Sequence, residues 1–383
     1  MKSLYTTWIR VMMLLSGIVF TPPVFASVIC SLQKSTPSIS VTLQLGNINI
    51  TSGADQPLGT LLYTGRFVQT SPRQILCEAS MPSEFSLTRS IQITSAPTIT
   101  SSWSNNKHQQ IFESGVRGVG IAIWRDDVSV TTAKTAIGNY YYADSQIDSY
   151  DSSFSFGLIK TAEIASGSIN VNNFPTVNIT MGNNYGVTNL PPDIVLATVK
   201  FTGIIQVVAQ TCNTSDINVD LGKHSANGVF KKIGSVTSWV DASITLTRCP
   251  AFRGYYGGDA ADSDASKITI NNDNVVTNMP ARTANGLYVS FQPATSVIDV
   301  ANGIMALSNS ENQTVAKGVG IQIGWGNASG SPELFNFAGR TFTPPSEGTA
   351  TFKIPIAARY IQTEAVVTPG LANGRAIFMI NYH

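Results

Sequence analysis

The sequence predicts an all-β protein built as two immunoglobulin-like β-sandwiches, on three observations. Apolar residues alternate with polar ones along much of the chain, turn-forming clusters separate these runs, and four cysteines fall into two distant pairs. Ile39, Val41, Leu43 and Leu45 alternate with Ser40, Thr42 and Gln44. The same period recurs at Ile217, Val219 and Leu221, and again at Val319, Ile321 and Ile323. A period of two sets one face of a strand against a core and the other in water. Turn signals stand between the runs at Ser52-Gly53-Ala54-Asp55, Gly182-Asn183-Asn184 and Ala284-Asn285-Gly286. Beyond the N-terminal segment no run has the periodicity of an amphipathic helix, and short strands at this spacing suit sandwiches.

Along the chain, residues 1–26 come first. Lys2 and Arg10 precede an apolar run from Val11 to Phe20, and Val24 and Ala26 set small residues before Ser27. This is the layout of a secretory signal peptide, and the run is about half of the roughly 20 residues a spanning helix needs. Export makes disulfides the expected state of Cys30, Cys77, Cys212 and Cys249. Four cysteines allow three connectivities. The sequential one, Cys30–Cys77 and Cys212–Cys249, is the most economical, because each loop then closes inside one domain. The boundary is read at Asn189-Leu190-Pro191-Pro192-Asp193, a stiff, donor-poor tract, giving domains 27–192 and 193–383. A short repeat links the halves: Gly118-Val119-Gly120-Ile121-Ala122-Ile123-Trp124 echoes Gly318-Val319-Gly320-Ile321-Gln322-Ile323-Gly324-Trp325. Both read as a strand leading into a turn. Neither is a dinucleotide loop, since no helix or third glycine follows at the required spacing.

Composition narrows the function. Twenty-four basic and 23 acidic side chains leave a net charge of +1, so there is no basic face for nucleic acid. Three histidines lie far apart, and no CxxC, HExxH or GxSxG occurs, so neither a metal nor another cofactor is expected.

The second half carries a resemblance. Val199-Lys200-Phe201-Thr202-Gly203-Ile204-Ile205, then Thr211-Cys212 and Ile217-Asn218-Val219-Asp220-Leu221-Gly222, resembles the opening of a chaperone–usher pilin domain. The Gly318–Ile323 strand and the ending from Phe352 to His383 fit the same family, with Gly370 fourteenth from the end and Tyr382 penultimate. The resemblance implies an incomplete pilin fold lacking its last strand. A strand of the periplasmic pilus chaperone fills that gap first, and then a strand donated by the adjacent fimbrial subunit after passage through an outer-membrane usher. Ala376, Phe378, Ile380 and Tyr382, on alternate positions of a terminal strand, and Gly370 are the expected interface.

Ordinary pilins carry their donor extension just before this fold, where the present chain holds a whole further domain. Only Ser27, Val28 and Ile29 separate the signal peptide from Cys30, too few residues to donate a strand. The chain therefore resembles a two-domain fimbrial tip adhesin, with 27–192 as the receptor-binding, lectin-like domain and the fimbrium tip at the cell surface as its place. Such adhesins commonly recognise host glycans, and protein-binding members also occur. A sugar site needs an aromatic face and carboxylate or amide acceptors. Three stretches offer them: Trp103 with Asn105, Asn106 and His108; Trp124 with Arg125, Asp126 and Asp127; and Tyr140-Tyr141-Tyr142 with Asp144, Asp148 and Asp151. Mature mannose-binding adhesins begin with phenylalanine shortly before the first cysteine. Here the start is Ser27-Val28-Ile29-Cys30, so mannose specificity does not carry over. The alternatives are an adaptor subunit without receptor binding and, more remotely, a secreted carbohydrate-active enzyme using a carboxylate pair such as Asp144 with Asp148 or Asp151.

Overall fold

The computed structural model describes residues 27–383 apart from 101–102, 189–192, 210, 259–263, 310–312 and 349. The signal segment and most of the Pro191-Pro192 tract therefore lie outside the described residues. The chain is nearly all β, with one short helix, Ala226–Val229, and two 3-10 turns among the described residues.

Two apolar cores organise it. The first is enclosed by a six-stranded sheet and a larger sheet of eight strands. In the six-stranded sheet Thr135–Tyr142, Phe85–Ser95, Thr176–Tyr185 and Ile194–Val208 follow one another, and Ile39–Thr51 runs parallel to Ile194–Val208. The larger sheet is centred on Leu61–Val68, Ser153–Lys160 and Val119–Arg125. Those central strands are buried on both faces, and so lose the alternation that Ile39–Thr51 keeps with Val41, Leu43 and Leu45 inward. A third sheet, Val28–Leu32, Arg73–Ala79 and Gln146–Tyr150, carries the first disulfide, Cys30–Cys77, between directly opposed residues. The second core gathers Leu246, Leu287, Ile321, Ile323, Trp325, Phe335, Ile354 and Tyr382 beside the Cys212–Cys249 bridge. Both bridges join the expected partners.

Two expectations of local structure need correction, and two strands of the second half pair across to the first. Ile194–Val208 includes the stretch read as the opening of the second domain; it pairs with Thr176–Tyr185, Gly167–Asn170 and Ile39–Thr51, and its Leu196, Val199, Phe201 and Ile205 lie in the first core. A long alternating strand that follows closely on another is most readily satisfied as its antiparallel neighbour. Ile268–Asn271 likewise joins the first unit, alongside Leu61–Val68. Ile217, Val219 and Leu221 are half-buried but form no ladder, since alternation sets side-chain facing and a strand also needs a paired backbone. Gly182-Asn183-Asn184 is not a turn. The ladder runs through it to Tyr185, with an irregularity between Asn183 and Tyr185.

The repeat is structural. Val119–Arg125 and Val319–Trp325 each sit inside a sheet, and the glycine before each adopts positive φ, 80° at Gly118 and 74° at Gly318. A Cβ on Gly118 would lie 2.3 Å from the Glu163 carbonyl oxygen, and one on Gly318 would lie 2.2 Å from that of Val366. Each glycine carbonyl accepts from the residue just past the neighbouring strand, Gly118 from the Thr161 amide at 2.9 Å and Gly318 from the Thr363 amide at 2.8 Å.

The units meet where the chain ends. The Asp55 amide donates to the Tyr382 carbonyl (2.9 Å), and the Tyr382 amide donates to Asp55 Oδ2 (2.7 Å). Asn285 Nδ2 donates to the Thr51 carbonyl (2.9 Å) and Asn285 Oδ1 accepts from the Gly254 amide (2.9 Å). Gly53 permits this approach, because a Cβ there would stand 2.2 Å from the Tyr382 oxygen.

Gly118→Ala and Gly318→Ala should each destabilise the protein by about 2–4 kcal/mol, from left-handed backbone strain and forced carbonyl displacement. Gly330→Ala, whose Cβ would meet nothing nearer than 3.5 Å, is the control. Denaturant unfolding followed by tryptophan fluorescence reads the difference.

Candidate functional site

The three aromatic stretches do not converge. Trp124 is fully buried and its ring packs edge-on to His108 at 4.9 Å, so it cannot stack on a ligand and is withdrawn as a receptor contact. Trp103 is half-buried against the small core of Leu61, Ile111, Ala122, Trp124 and Ile159, where its ring lies over Gly59. Its neighbours are locally engaged: Asn105 Oδ1 accepts from the His108 amide at 2.7 Å, and Lys107 pairs with Asp127 at 3.1 Å. The stretch is a braced loop on the larger sheet.

Thr135–Tyr142 is the outermost strand of the six-stranded sheet, and its alternation splits the three tyrosines. Tyr140 and Tyr142 turn inward and pack on the first core, while Tyr141 is 74% exposed. Tyr140 meets Tyr150 edge-on at 4.8 Å and lies 5.7 Å from the Arg89 guanidinium. The Tyr142 hydroxyl donates to Asp148 Oδ2 at 2.8 Å and lies 2.5 Å from the Tyr150 hydroxyl. Arg89 donates to both the carbonyl (2.8 Å) and Oδ1 (3.0 Å) of Asp151. Tyr140, Tyr142, Asp148 and Asp151 thus brace the junction of three strands. Of the acidic candidates, Asp144 stands at an exposed turn and accepts from the Ser145 amide at 2.7 Å.

Burial, then the hydrogen bonds to Tyr150 and Asp148, push the Tyr142 phenol well above its ordinary value. Burial pushes Tyr150 up to about 12.

The structure adds residues that sequence reasoning missed. Ser86 pairs with Tyr141 on one side and with Tyr185 on the other, so both tyrosines rise from one row and one face. Tyr185 is 66% exposed. Asn184 Nδ2 donates to Ser86 Oγ at 3.1 Å. Gly186, with φ of 75°, folds the chain over Glu84, where a Cβ would lie 2.4 Å from its carbonyl oxygen. The result is an open groove of about 340 Å³ lined by Glu84, Phe85, Tyr141, Tyr142, Ala143 and Tyr185. Its signal was present in Asn183-Asn184-Tyr185, but reading Gly182-Asn183-Asn184 as a turn hid it. Another open groove, of about 450 Å³ between Gln92 and Phe112, has no charged lining residue and no exposed aromatic ring.

The tyrosine groove lies far from the second core. Ile194 pairs with Met181, and Val208 at the other end of the same 15-residue strand pairs with Thr51, beside Gly254 and Asn285. Those ends are about 45 Å apart along the strand, and Tyr185 lies beyond Met181 in the outward direction.

A fimbrial protein family model matches residues 199–383, and a model of the MrkD-like receptor binding domain matches residues 41–191. The chain belongs to the chaperone–usher fimbrial adhesins. The fimbrial subunit type 1 of Salmonella typhimurium is 28% identical to this adhesin over 197 residues, covering 50% of this chain and 85% of that subunit. Among solved structures, the CupB6 tip adhesin from Pseudomonas aeruginosa is 14% identical, with 93% of each chain covered and a TM-score of 0.32. The receptor binding domain of the Klebsiella pneumoniae adhesin MrkD1P is 13% identical, covering 48% of this chain and 98% of that one, with a TM-score of 0.29. The adhesin belongs to a surface fimbrium, and its families are structural proteins.

The tyrosine junction makes stability pH-dependent on the alkaline side. Phenol groups raised on folding contribute stability that is whole below the unfolded phenol value near 10 and is lost as pH climbs through the folded values. The unfolding midpoint should therefore fall above about pH 10, with Tyr142→Phe showing a shallower fall. Denaturant titrations across pH, with phenolate absorbance followed in parallel, check this.

Proposed function

We propose that this adhesin is the tip subunit of its fimbrium, with residues 27–192 binding a receptor glycan and residues 193–383 joining the pilus by accepting a strand. The observation that carries the receptor assignment is the pair of exposed tyrosines flanking a groove that Glu84 also lines, at the end of the first unit away from the second core. Exposed aromatic rings take the C–H face of a sugar, and carboxylates accept from its hydroxyls. Asp144 follows directly on Ala143 at the groove's rim. Asp148 and Asp151 are held by Tyr142 and Arg89, which argues against a hydrolytic carboxylate pair and for binding alone.

The joining role draws on the terminal strand. Ala376–Tyr382 is outermost in its sheet, paired with Leu287–Pro293 on one side. Phe378 and Ile380 face the second core but remain partly exposed, while Ile377 and Met379 on the other face are 50% and 46% exposed. An unpaired edge with half-covered apolar residues suits β-augmentation by a periplasmic chaperone, and then by the adjacent subunit after the usher. Gly370 belongs to the same region, where a Cβ would lie 2.4 Å from the Ala316 amide nitrogen. Tyr382 differs from the expected interface role: it is buried, its hydroxyl accepts from the Cys212 amide at 3.2 Å, and its ring stacks on Phe252. It anchors the strand and leaves Phe378 and Ile380 to meet the incoming one. Residues 1–26 serve export.

Fimbriae carrying Tyr141→Ala or Tyr185→Ala should assemble normally and bind receptor glycan about 2- to 12-fold more weakly, the value of one stacked ring. Asp144→Ala should also weaken binding without loss of assembly. Wild-type adhesion by all three, measured on a glycan array, would remove the groove as the site.

Phe378→Asp or Ile380→Asp would place a charge in the chaperone-paired groove at a cost of several kcal/mol. The adhesin should then disappear from periplasm and fimbriae while its transcript persists, as immunoblotting would show. Normal periplasmic levels would count against strand acceptance there.

A further inference from the structure

Resting on the groove reading above, we propose that the Tyr141–Tyr185 groove selects gluco-configured pyranoses, neutral or amine-bearing, and rejects anionic glycans. The first argument is spacing. Both tyrosines pair with Ser86, so their backbones stand two strand spacings apart, about 10 Å, with side chains rising from one face. A backbone gap of that size has room for one saturated six-membered ring between the two side chains. The groove volume of about 340 Å³ lies at the small end of ligand sites, which run from about 300 to 1,000 Å³.

The second argument is stereochemical. Aromatic faces are electron-rich and attract C–H groups, whereas a hydroxyl pressed on a ring loses water without gaining a partner. A pyranose with every ring hydroxyl equatorial shows only axial C–H bonds on both faces, and directs all its polar groups to the rim. Inverting C4 or C2 puts one hydroxyl on a face. A site with one aromatic wall tolerates such an epimer by turning the sugar over, but a site with two walls does not. Tyr141 and Tyr185 supply two.

Charge supplies the third argument. Glu84 is the one charged residue among the six that line the groove. Arg89, on the same strand, is buried and bonded to Asp151, and Lys134 is paired with Asp193. A carboxylate or sulfate on the ligand would therefore meet Glu84 with no cation of the lining to hold it, while an amine would meet a partner.

Purified wild-type fimbriae, with Tyr141→Ala and Tyr185→Ala fimbriae beside them, should be titrated on immobilised β-glucosides, β-N-acetylglucosaminides, β-glucosaminides, galactosides, mannosides and sialylated glycans. The expected result is binding to the three gluco-configured sets, at least about 5-fold weaker binding to galactosides and mannosides, and none to sialylated glycans. Each alanine variant should lose about 2- to 12-fold on the gluco-configured sets. Equal or tighter binding of galactosides, mannosides or sialylated glycans that still depends on either tyrosine would keep the groove and overturn the selectivity. Glycan binding indifferent to both tyrosines, or no glycan binding at all, would overturn the groove reading and the selectivity with it.

Discussion

Ladder register governs both the core and the surface of this adhesin. Facing in a strand has a period of two, so each pairing decides at once which side chains are enclosed and which are presented. The pairing of Phe85–Ser95 with Thr135–Tyr142 turns Tyr140 and Tyr142 onto the core and leaves Tyr141 outside. On the other side, the irregularity at Asn184 sets Tyr185 opposite Ser86 rather than one position out of phase. A one-residue slip in either ladder would bury the exposed ring and expose its neighbours. The buried contacts of Tyr142 with Phe85, Asp148 and Tyr150 oppose that slip. Phe85 and Tyr142 thus line the groove, while Asp148 and Tyr150, outside its lining, hold Tyr142 in place.

The same dependence explains what the sequence disclosed. Ile39–Leu45 was legible because one of its faces is wet, and the cysteine pairs because each closes within one half of the chain or the other. The Gly118 and Gly318 repeat was legible because a backbone approach to 2.2–2.3 Å of a would-be Cβ leaves no other residue a place. Period two also gave false strands. Ile217–Leu221 has the pattern without a partner, and nothing local to five residues says whether another backbone will lie alongside. Ile194–Val208 has both pattern and partners, but which sheet supplies them is decided by residues more than a hundred positions earlier, in Ile39–Thr51.

Site residues were legible in type more than in place. The tyrosine–aspartate stretch has the chemistry of a sugar site, yet four of its six residues, Tyr140, Tyr142, Asp148 and Asp151, serve the fold. Trp124 lost its candidacy for the reason that makes its counterpart Trp325 a core residue: each closes a glycine-relieved strand whose two faces are covered. Tyr185 and Glu84 lie apart from that stretch in sequence and join Tyr141 only through the shared strand beginning at Phe85.

Under the proposed function the two ends of the first unit carry different tasks, and one pair of strands connects them. Asp55 is tied through two backbone-directed hydrogen bonds to Tyr382, on the strand proposed to receive a neighbour. Four residues before Asp55, Ile39–Thr51 ends; it pairs with Ile194–Val208 from Ile39 opposite Ala197 to Thr51 opposite Val208. Near its start, Ile194–Val208 pairs with the strand that bears Tyr185. A pull between a receptor at the tyrosine groove and the pilus at Ala376–Tyr382 would therefore run along these ladders rather than across them. Hydrogen bonds loaded along the strand direction act together, whereas those at an edge pulled sideways break in succession. Among the described residues, the longer of the two parallel ladders, that of Ile39–Thr51 with Ile194–Val208, lies on that path.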